Sequence, residues 1–347
     1  MIQMYKNRLN DRNHLIQLFS PVFSIIIAFI VAGIVVWFTG GNPIEAYSVL
    51  AKGAFGSLSG IQNTIRYTLP IIMLGISFAV CNKCGYFNIG QEGQMYAAAI
   101  AVAAVQKLLG HIPTFPLMLI MIIVAILAGG IVCLIPAIFK FLFGVNEVIV
   151  AMLMNYIILL LTNYLLLYSP IAEVGKSTAM SITVKPIVSG IMLLVASTII
   201  ILVYGIIAKK SAPGYRLRIV GYNPRFAKAS GINTIRLILI VAFLGGAFSG
   251  LSVVGEIFGV YHKVYNGFVE NLGFYGMTAA LIGSKSTIGL VLGALILGSL
   301  QSGSVTLSVM TNVPSEIVLV VQGFVMLFAT INIVQYFSKS TKKKGAE

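Results

Sequence analysis

Long uninterrupted apolar runs govern what this chain can become. Ten segments stand out, at about 20–39, 64–82, 88–108, 115–139, 147–168, 190–208, 235–254, 271–283, 287–306 and 315–336. Several approach the roughly 20 residues that carry a helix across the hydrocarbon layer. Backbone groups in lipid must satisfy one another, which leaves helices or a closed barrel. A barrel would alternate polar and apolar residues in segments of about 10, and these runs do not. The expected fold is therefore all-α, a polytopic membrane protein with about ten transmembrane helices. Composition agrees, at 58% hydrophobic and 9% charged residues, against about 25% charged in soluble domains. Segment 271–283 is too short to cross unaided and reads as broken or re-entrant, which is tolerated where protein buries it.

The formal net charge is +14. In a membrane protein such an excess reads first as topology, because cytoplasmic loops collect Lys and Arg. With the N-terminus inside, 17 basic residues fall on the inner side and 6 on the outer; the flipped arrangement inverts the bias. Both termini are expected in the cytoplasm, and no nucleic-acid partner is implied. Run 20–39 exceeds a signal-peptide core and lacks a small-residue cleavage site, so it reads as a retained first helix. The organisation is then a tail at 1–19, one transmembrane domain at 20–336 with an inner loop at 209–235, and a basic tail at 337–347.

Motifs for chemistry are missing or false. Cys81 and Cys84 form a CNKC, but no second CxxC exists and His14, His111 and His262 are distant in sequence. Small thiols at a helix end explain it better than a metal site. SPIAEVGKST resembles a phosphate loop, yet Pro170 stands where glycine is required. There is no G-x-S-x-G or H-E-x-x-H, and Asp11 is the sole aspartate. No catalytic residue, metal or bound cofactor is expected, and the chain reads as a non-enzyme. Active transport would need its energy from elsewhere.

FNIGQEGQ, residues 87–94, interrupts two very apolar stretches. A helix starting near Asn88 places Asn88, Gln91 and Glu92 on one face. Gly90, Gly93, Ala97 and Ala101 then form a small-residue stripe for close packing. Glu92 suits a water-filled path, and as a first-turn carboxylate it also has a structural use. In 146–170, Asn155 and Thr162 share one side of a helix, while Tyr156, Tyr164 and Tyr168 form a stripe able to stack on a planar solute. Interfacial anchoring is the plainer reading for Tyr168. With no Arg or Lys deep in a span, the path suits a neutral polar solute.

Two segments outside the spans carry helix punctuation. In NPIEAYSVLAKGAF, Asn42 suits an N-cap, Pro43 the first turn and Glu45 its third position. Ile44, Tyr47, Leu50, Ala51 and Ala54 recur at helical spacing, as in a short amphipathic helix on the outer surface. In the basic loop 209–235, Asn223 suits an N-cap, Pro224 follows, and Gly231 terminates. That helix of about two turns is too short to persist alone, which implies a surface for it to dock on. Attraction of the loop to anionic lipid is the alternative.

NPIEAYSVLAKGAFGS, CGYFNIGQEGQ, NEVI at 146–149, GYNPRFAKASGI, ALIGSKSTIGLVLGALILGSL and VPSEIVLVVQG occur in order over most of 42–323. The chain thereby resembles the permease subunits of bacterial ATP-binding-cassette importers in the branched-chain amino acid and ribose superfamily. The likeness is strongest to the nucleoside subgroup served by BMP-family lipoproteins. The resemblance implies a translocation path for a nucleoside, with a purine nucleoside such as guanosine favoured, and an external binding lipoprotein. It implies cytoplasmic ATPases that use ATP and Mg, a second related permease in a heterodimer, and a bacterial plasma-membrane location. It also implies an ATPase-coupling helix around Gly221, Asn223, Pro224, Arg225, Phe226, Ala227, Lys228 and Gly231. Phe226 departs from the small residue common there, and Lys285 and Ser286 stand where Arg and Asn are expected. A sugar or branched-chain amino acid permease, and a proton-coupled secondary transporter using Glu92, are the competing functions.

Overall fold

The computed structural model describes residues 26–38, 40–173, 179–185, 190–283, 286–311 and 316–330. The expected tails at 1–19 and 337–347, and Lys285, lie outside the described residues. Among the described residues the chain is all-helical, with two isolated bridges, Ala172 to Ser181 and Met180 to Tyr265. The helices are α1 (Ile26–Phe38), α2 (Pro43–Phe55), α3 (Leu58–Asn82), α4 (Gln91–Leu109), α5 (Thr114–Phe143), α6 (Glu147–Tyr168) and α7 (Gly190–Lys210). They continue with α8 (Ala212–Tyr222), α9 (Pro224–Ala229), α10 (Thr234–Glu256), α11 (Leu272–Ile282), α12 (Thr287–Met310) and α13 (Glu316–Thr330). A π turn, Ile257–Tyr261, extends α10.

Helices overlap each of the ten apolar segments. Among the described residues six helices are long and apolar enough to cross a membrane: α3, α5, α6, α7, α10 with its π turn, and α12. Counting α1 and α2 as one broken span makes seven. The protein is thus an integral membrane protein. α11 has 11 residues, about 16 Å at 1.5 Å per residue, roughly half the hydrocarbon thickness.

The described residues divide into two compact units, Leu69–Ala280 and the residues on either side of it. In the first, α4, α5 and α10 form the centre. α5 and α10 meet through small residues rather than bulky ones. A Cβ on Gly129 would strike the Gly246 carbonyl and the Gly250 backbone, and one on Gly250 would strike the Ala125 carbonyl. Ala125, Gly129 and Cys133 thus pass backbone to backbone along Gly246 and Gly250, the small-xxx-small device by which helices attract where lipid removes the hydrophobic drive. Beside them Ala98, Ala99, Val102 and Ala103 of α4 are fully buried. The stretch after the π turn is held down by Ser181, whose N–H donates to the Val264 carbonyl and whose hydroxyl accepts from the Val264 N–H, both at 2.9 Å.

In the other unit α2 behaves differently from the expected surface helix. Its ends form as the sequence dictates, with the Asn42 side chain accepting from the Ile44 N–H at 3.0 Å and Pro43 in the first turn. Its body, however, packs along α12. Leu50 and Ala54 are buried, and a Cβ on Gly303 would meet the Leu50 backbone. Ile44 stays 80% exposed, and Ala51 is exposed as well. The Tyr47 hydroxyl donates to the Phe29 carbonyl of α1. Helical spacing named an apolar face, but the glycines of α12 chose which part of it to cover.

Candidate translocation site and coupling surface

α4 begins at Gln91, not at Asn88. Residues 86–89 have no regular structure, so Asn88, Gln91 and Glu92 do not share a helical face. Gly90 stands at the N-cap with no side chain to accept the first amides. Two other residues supply that function. The Asn88 carbonyl oxygen accepts from the Gly90 N–H at 3.2 Å. Asn155, from α6, accepts from the Gly93 N–H at 2.8 Å and donates to the Ile89 carbonyl at 3.1 Å. A helix start leaves four amides unmet; here a different helix caps one of them. Gly93 makes this possible, since a Cβ there would lie 2.9 Å from Asn155 Oδ1 and 3.0 Å from its Cα.

The amide side chains are used up in the same way. Asn88 and Gln94 exchange hydrogen bonds, Gln94 Nε2 to Asn88 Oδ1 at 2.7 Å and Asn88 Nδ2 to Gln94 Oε1 at 3.2 Å. Asn88 Nδ2 also donates to Ser77, whose hydroxyl pairs with Ser249 at 3.0 Å. Gln91 donates to the Leu74 carbonyl at 2.6 Å. All three amides are buried. They join α3, α4 and α10. Leu74 lies eight residues before the end of α3 at Asn82, about 12 Å along a helix. α4 therefore starts well inside the span of α3, and α11 packs there too, with Gly276 against Leu74.

Glu92 is the exception in this network. Its Oε1 is buried with no hydrogen-bond partner. Glu270, Asn271 and Gly273, at the start of α11, lie close to it. A Cβ on Gly273 would stand 3.0 Å from Glu92 Cγ. Two short helices thus begin at one carboxylate, and helix N-termini favour negative charge. Neither Glu270 nor Asn271, whose φ is +62°, was singled out from the sequence, because their nearness to Glu92 spans about 180 residues of chain. Glu256, buried before the π turn, was also passed over; π turns recur at functional positions.

On α6, Thr162 is buried beside the inward Asn155. The tyrosine stripe turns the other way, with Tyr156 66% and Tyr168 74% exposed. It does not join the inward polar face. One residue along a helix is a rotation of about 100°, enough to part Tyr156 from Asn155.

The inner loop forms the expected α9 between Asn223 and Gly231. Asn223 Oδ1 accepts from the Phe226 N–H at 3.0 Å, Pro224 opens the helix, and Gly231 follows it with φ +80°. It has six residues, close to the two turns expected. Ala227 is its fully buried anchor, while Arg225, Phe226 and Lys228 face outward. The preceding α8 was not anticipated, although Ser211 caps it and Pro213 sits in its first turn. A Cβ on Gly221 would strike the Lys83 carbonyl, so α8 lies directly on the turn after α3. Lys83 Nζ sits 4.7 Å from the centre of the Tyr204 ring. Burial, with Arg218 and Lys209 adding to it, lowers its pKa to about 8. In the CNKC, burial pushes the Cys84 thiol up to about 11, so it stays neutral and donates to the Cys81 carbonyl at 3.1 Å.

Comparison with known proteins adds what geometry does not carry. The family model described as branched-chain amino acid transport system, permease component, matches residues 60–330. The guanosine ABC transporter permease protein of Bacillus subtilis is 30% identical over 95% of this chain and 98% of its own length. The nucleoside ABC transporter permease protein of Lactococcus lactis is 30% identical over 94% and 96%. The glucose ABC transporter permease protein of Haloferax volcanii is 27% identical over 89% and 86%. No solved structure gives a significant match.

Proposed function

This chain belongs to the permease component family of branched-chain amino acid transport systems, and from that membership we propose that it forms the translocation path of an ATP-binding-cassette importer for a nucleoside, with guanosine favoured. The observation that carries the reading is end-to-end likeness to two nucleoside permeases at 30% identity. The lower identity of the glucose permease ranks a sugar second. The path runs past Glu92, where a carboxylate oxygen without a partner meets the hydroxyl and N–H donors of a neutral nucleoside. The chain acts as one permease domain from 20 to 336 with ten membrane segments, some of them partial like α11, and with both termini in the cytoplasm.

In this reading the energy comes from a cytoplasmic ATPase, which binds ATP and Mg and docks on α9. An extracellular lipoprotein delivers the solute, and a second related permease completes the channel in the plasma membrane. The exposed side of α9, with Phe226 58% exposed, fits such a dock. The test is uptake of radiolabelled guanosine by cells expressing the whole importer. Unlabelled guanosine and other nucleosides are expected to compete, and glucose or leucine are not. Competition by glucose or leucine at lower concentration than any nucleoside would overturn the assignment. Topology is tested separately by single cysteines at Ser211 and His111 with an impermeant maleimide on intact cells; labelling at His111 alone is expected.

A further inference from the structure

We propose that Lys83, Lys209 and Arg218 form a site for the phosphate of an anionic phospholipid headgroup, at the corner where α7 meets α8. Three observations lead there. α7 is an apolar membrane helix that ends in Lys209 and Lys210, so the corner lies at the boundary between hydrocarbon and water. The cations come from segments more than 120 residues apart, yet Lys209 and Arg218 act on Lys83 as like charges. The two ion pairs among the described residues, Lys140 to Glu147 and Lys263 to Glu173, do not include them.

The cluster is also held in place before any ligand arrives. Arg218 donates to the Ala208 carbonyl at the end of α7. Lys83 is fixed over Tyr204, and Gly221 backs onto its carbonyl. Gly214 presses against Ile207 and Ala208, which closes the angle between α7 and α8. Gathered like charges held by packing need a counter-anion, and a phosphate diester brings one charge and several acceptor oxygens. Basic pockets between membrane helices at this depth take anionic headgroups. Lys83 and Arg218 are half-buried, whereas Lys209, Lys210, Arg216, Arg225 and Lys228 are exposed. A thin headgroup reaches past the exposed Lys209 to the half-buried Lys83 and Arg218.

The test uses the assembled importer purified in detergent and native mass spectrometry of retained lipid. Dioctanoyl phosphatidylglycerol is titrated against dioctanoyl phosphatidylcholine, with inorganic phosphate in a separate arm. Preference for phosphatidylglycerol is expected. Lys83→Met keeps the apolar stem over Tyr204 and removes the charge; it and Lys209→Ala are each expected to weaken retention about fivefold. Lys83→Arg and Lys228→Ala should match the unaltered complex. Retention in Lys83→Met and Lys209→Ala equal to that of the unaltered complex overturns the site, as does loss in Lys83→Arg. Inorganic phosphate binding as tightly as phosphatidylglycerol, with the same loss in the variants, overturns the lipid as its source.

Discussion

Residues 86–94 and 221–231 both interrupt apolar sequence with Asn, Gly and charge, and they solve their polar problem in opposite ways. In the first, Asn88, Gln91 and Gln94 bond to α3 and to each other, and Asn155 reaches in from α6. In the second, Asn223 bonds to the amide three residues on and the glycine turn closes the far end. One segment spends its polar groups on distant helices and disappears into the core. The other satisfies itself locally and leaves Phe226, Arg225 and Lys228 to face outward. A polar run in a membrane protein is thus a weak sign of a solute path; whether its bonds are local or long-range decides which surface remains for a partner.

The comparison is broken hardest by a change that should kill function without harming the fold. Ala227→Pro removes the Ala227 N–H bond to the Asn223 carbonyl, at a cost of about 3 kcal/mol. That is roughly a hundredfold in the helical population, so uptake should collapse while membrane abundance is unchanged. Wild-type uptake at equal abundance on immunoblots would refute the coupling role. The opposite result is expected at α6. Asn155→Ala orphans the Gly93 N–H and the Ile89 carbonyl, each worth about 1–3 kcal/mol, and should lower the melting temperature of the purified complex. Asn223→Ala, losing a local cap worth about 1 kcal/mol in a helix that contributes little to the fold, should leave that temperature nearly unmoved. Equal shifts would erase the contrast.

A smaller effect is expected at the centre of the first segment. Glu92→Gln keeps the shape and the amide contacts, and an ATPase supplies the work, so guanosine uptake should stay within about threefold of normal. Loss of accumulation with facilitated flux retained, and no need for ATP, would mark a proton-coupled transporter instead. Smallest of all is a pH slope from Lys83. Its pKa is about 8 in the fold against an ordinary 10.5, so between these values the unfolded chain holds the proton that the folded one releases. Stability from this residue therefore rises with pH across that window, and the charge weighs against the fold below it. Melting curves from pH 7.5 to 10 should show a slope that Lys83→Met flattens.

The caps at Asn42, Asn223 and Gly231 were legible because each bond lies within a few residues, where sequence spacing and distance are the same thing. α8 carried the same signal, with Ser211 as cap and Pro213 behind it, and went unread inside a loop assigned by its charge. The run Gly129–Gly130 and the pair Gly246 and Gly250 were visible as small residues, but not as partners. The tyrosine stripe of α6 was visible as a stripe, but not which way it faced.

Apolar runs of this length determined by themselves that the chain is helical and membrane-embedded, since lipid leaves a backbone only helices or a closed barrel and these runs do not alternate as a barrel's would. Local chemistry likewise determined where several helices start and stop. Only the tertiary structure decided that α4 begins about 12 Å inside against Leu74, that Asn155 caps it from another helix, and that Glu92 meets the start of α11. Those outcomes depend on backbones passing at contact distance through Gly93, Gly246, Gly250 and Gly276. Which helices come that close is a property of the whole packing arrangement, and no window along the chain contains it.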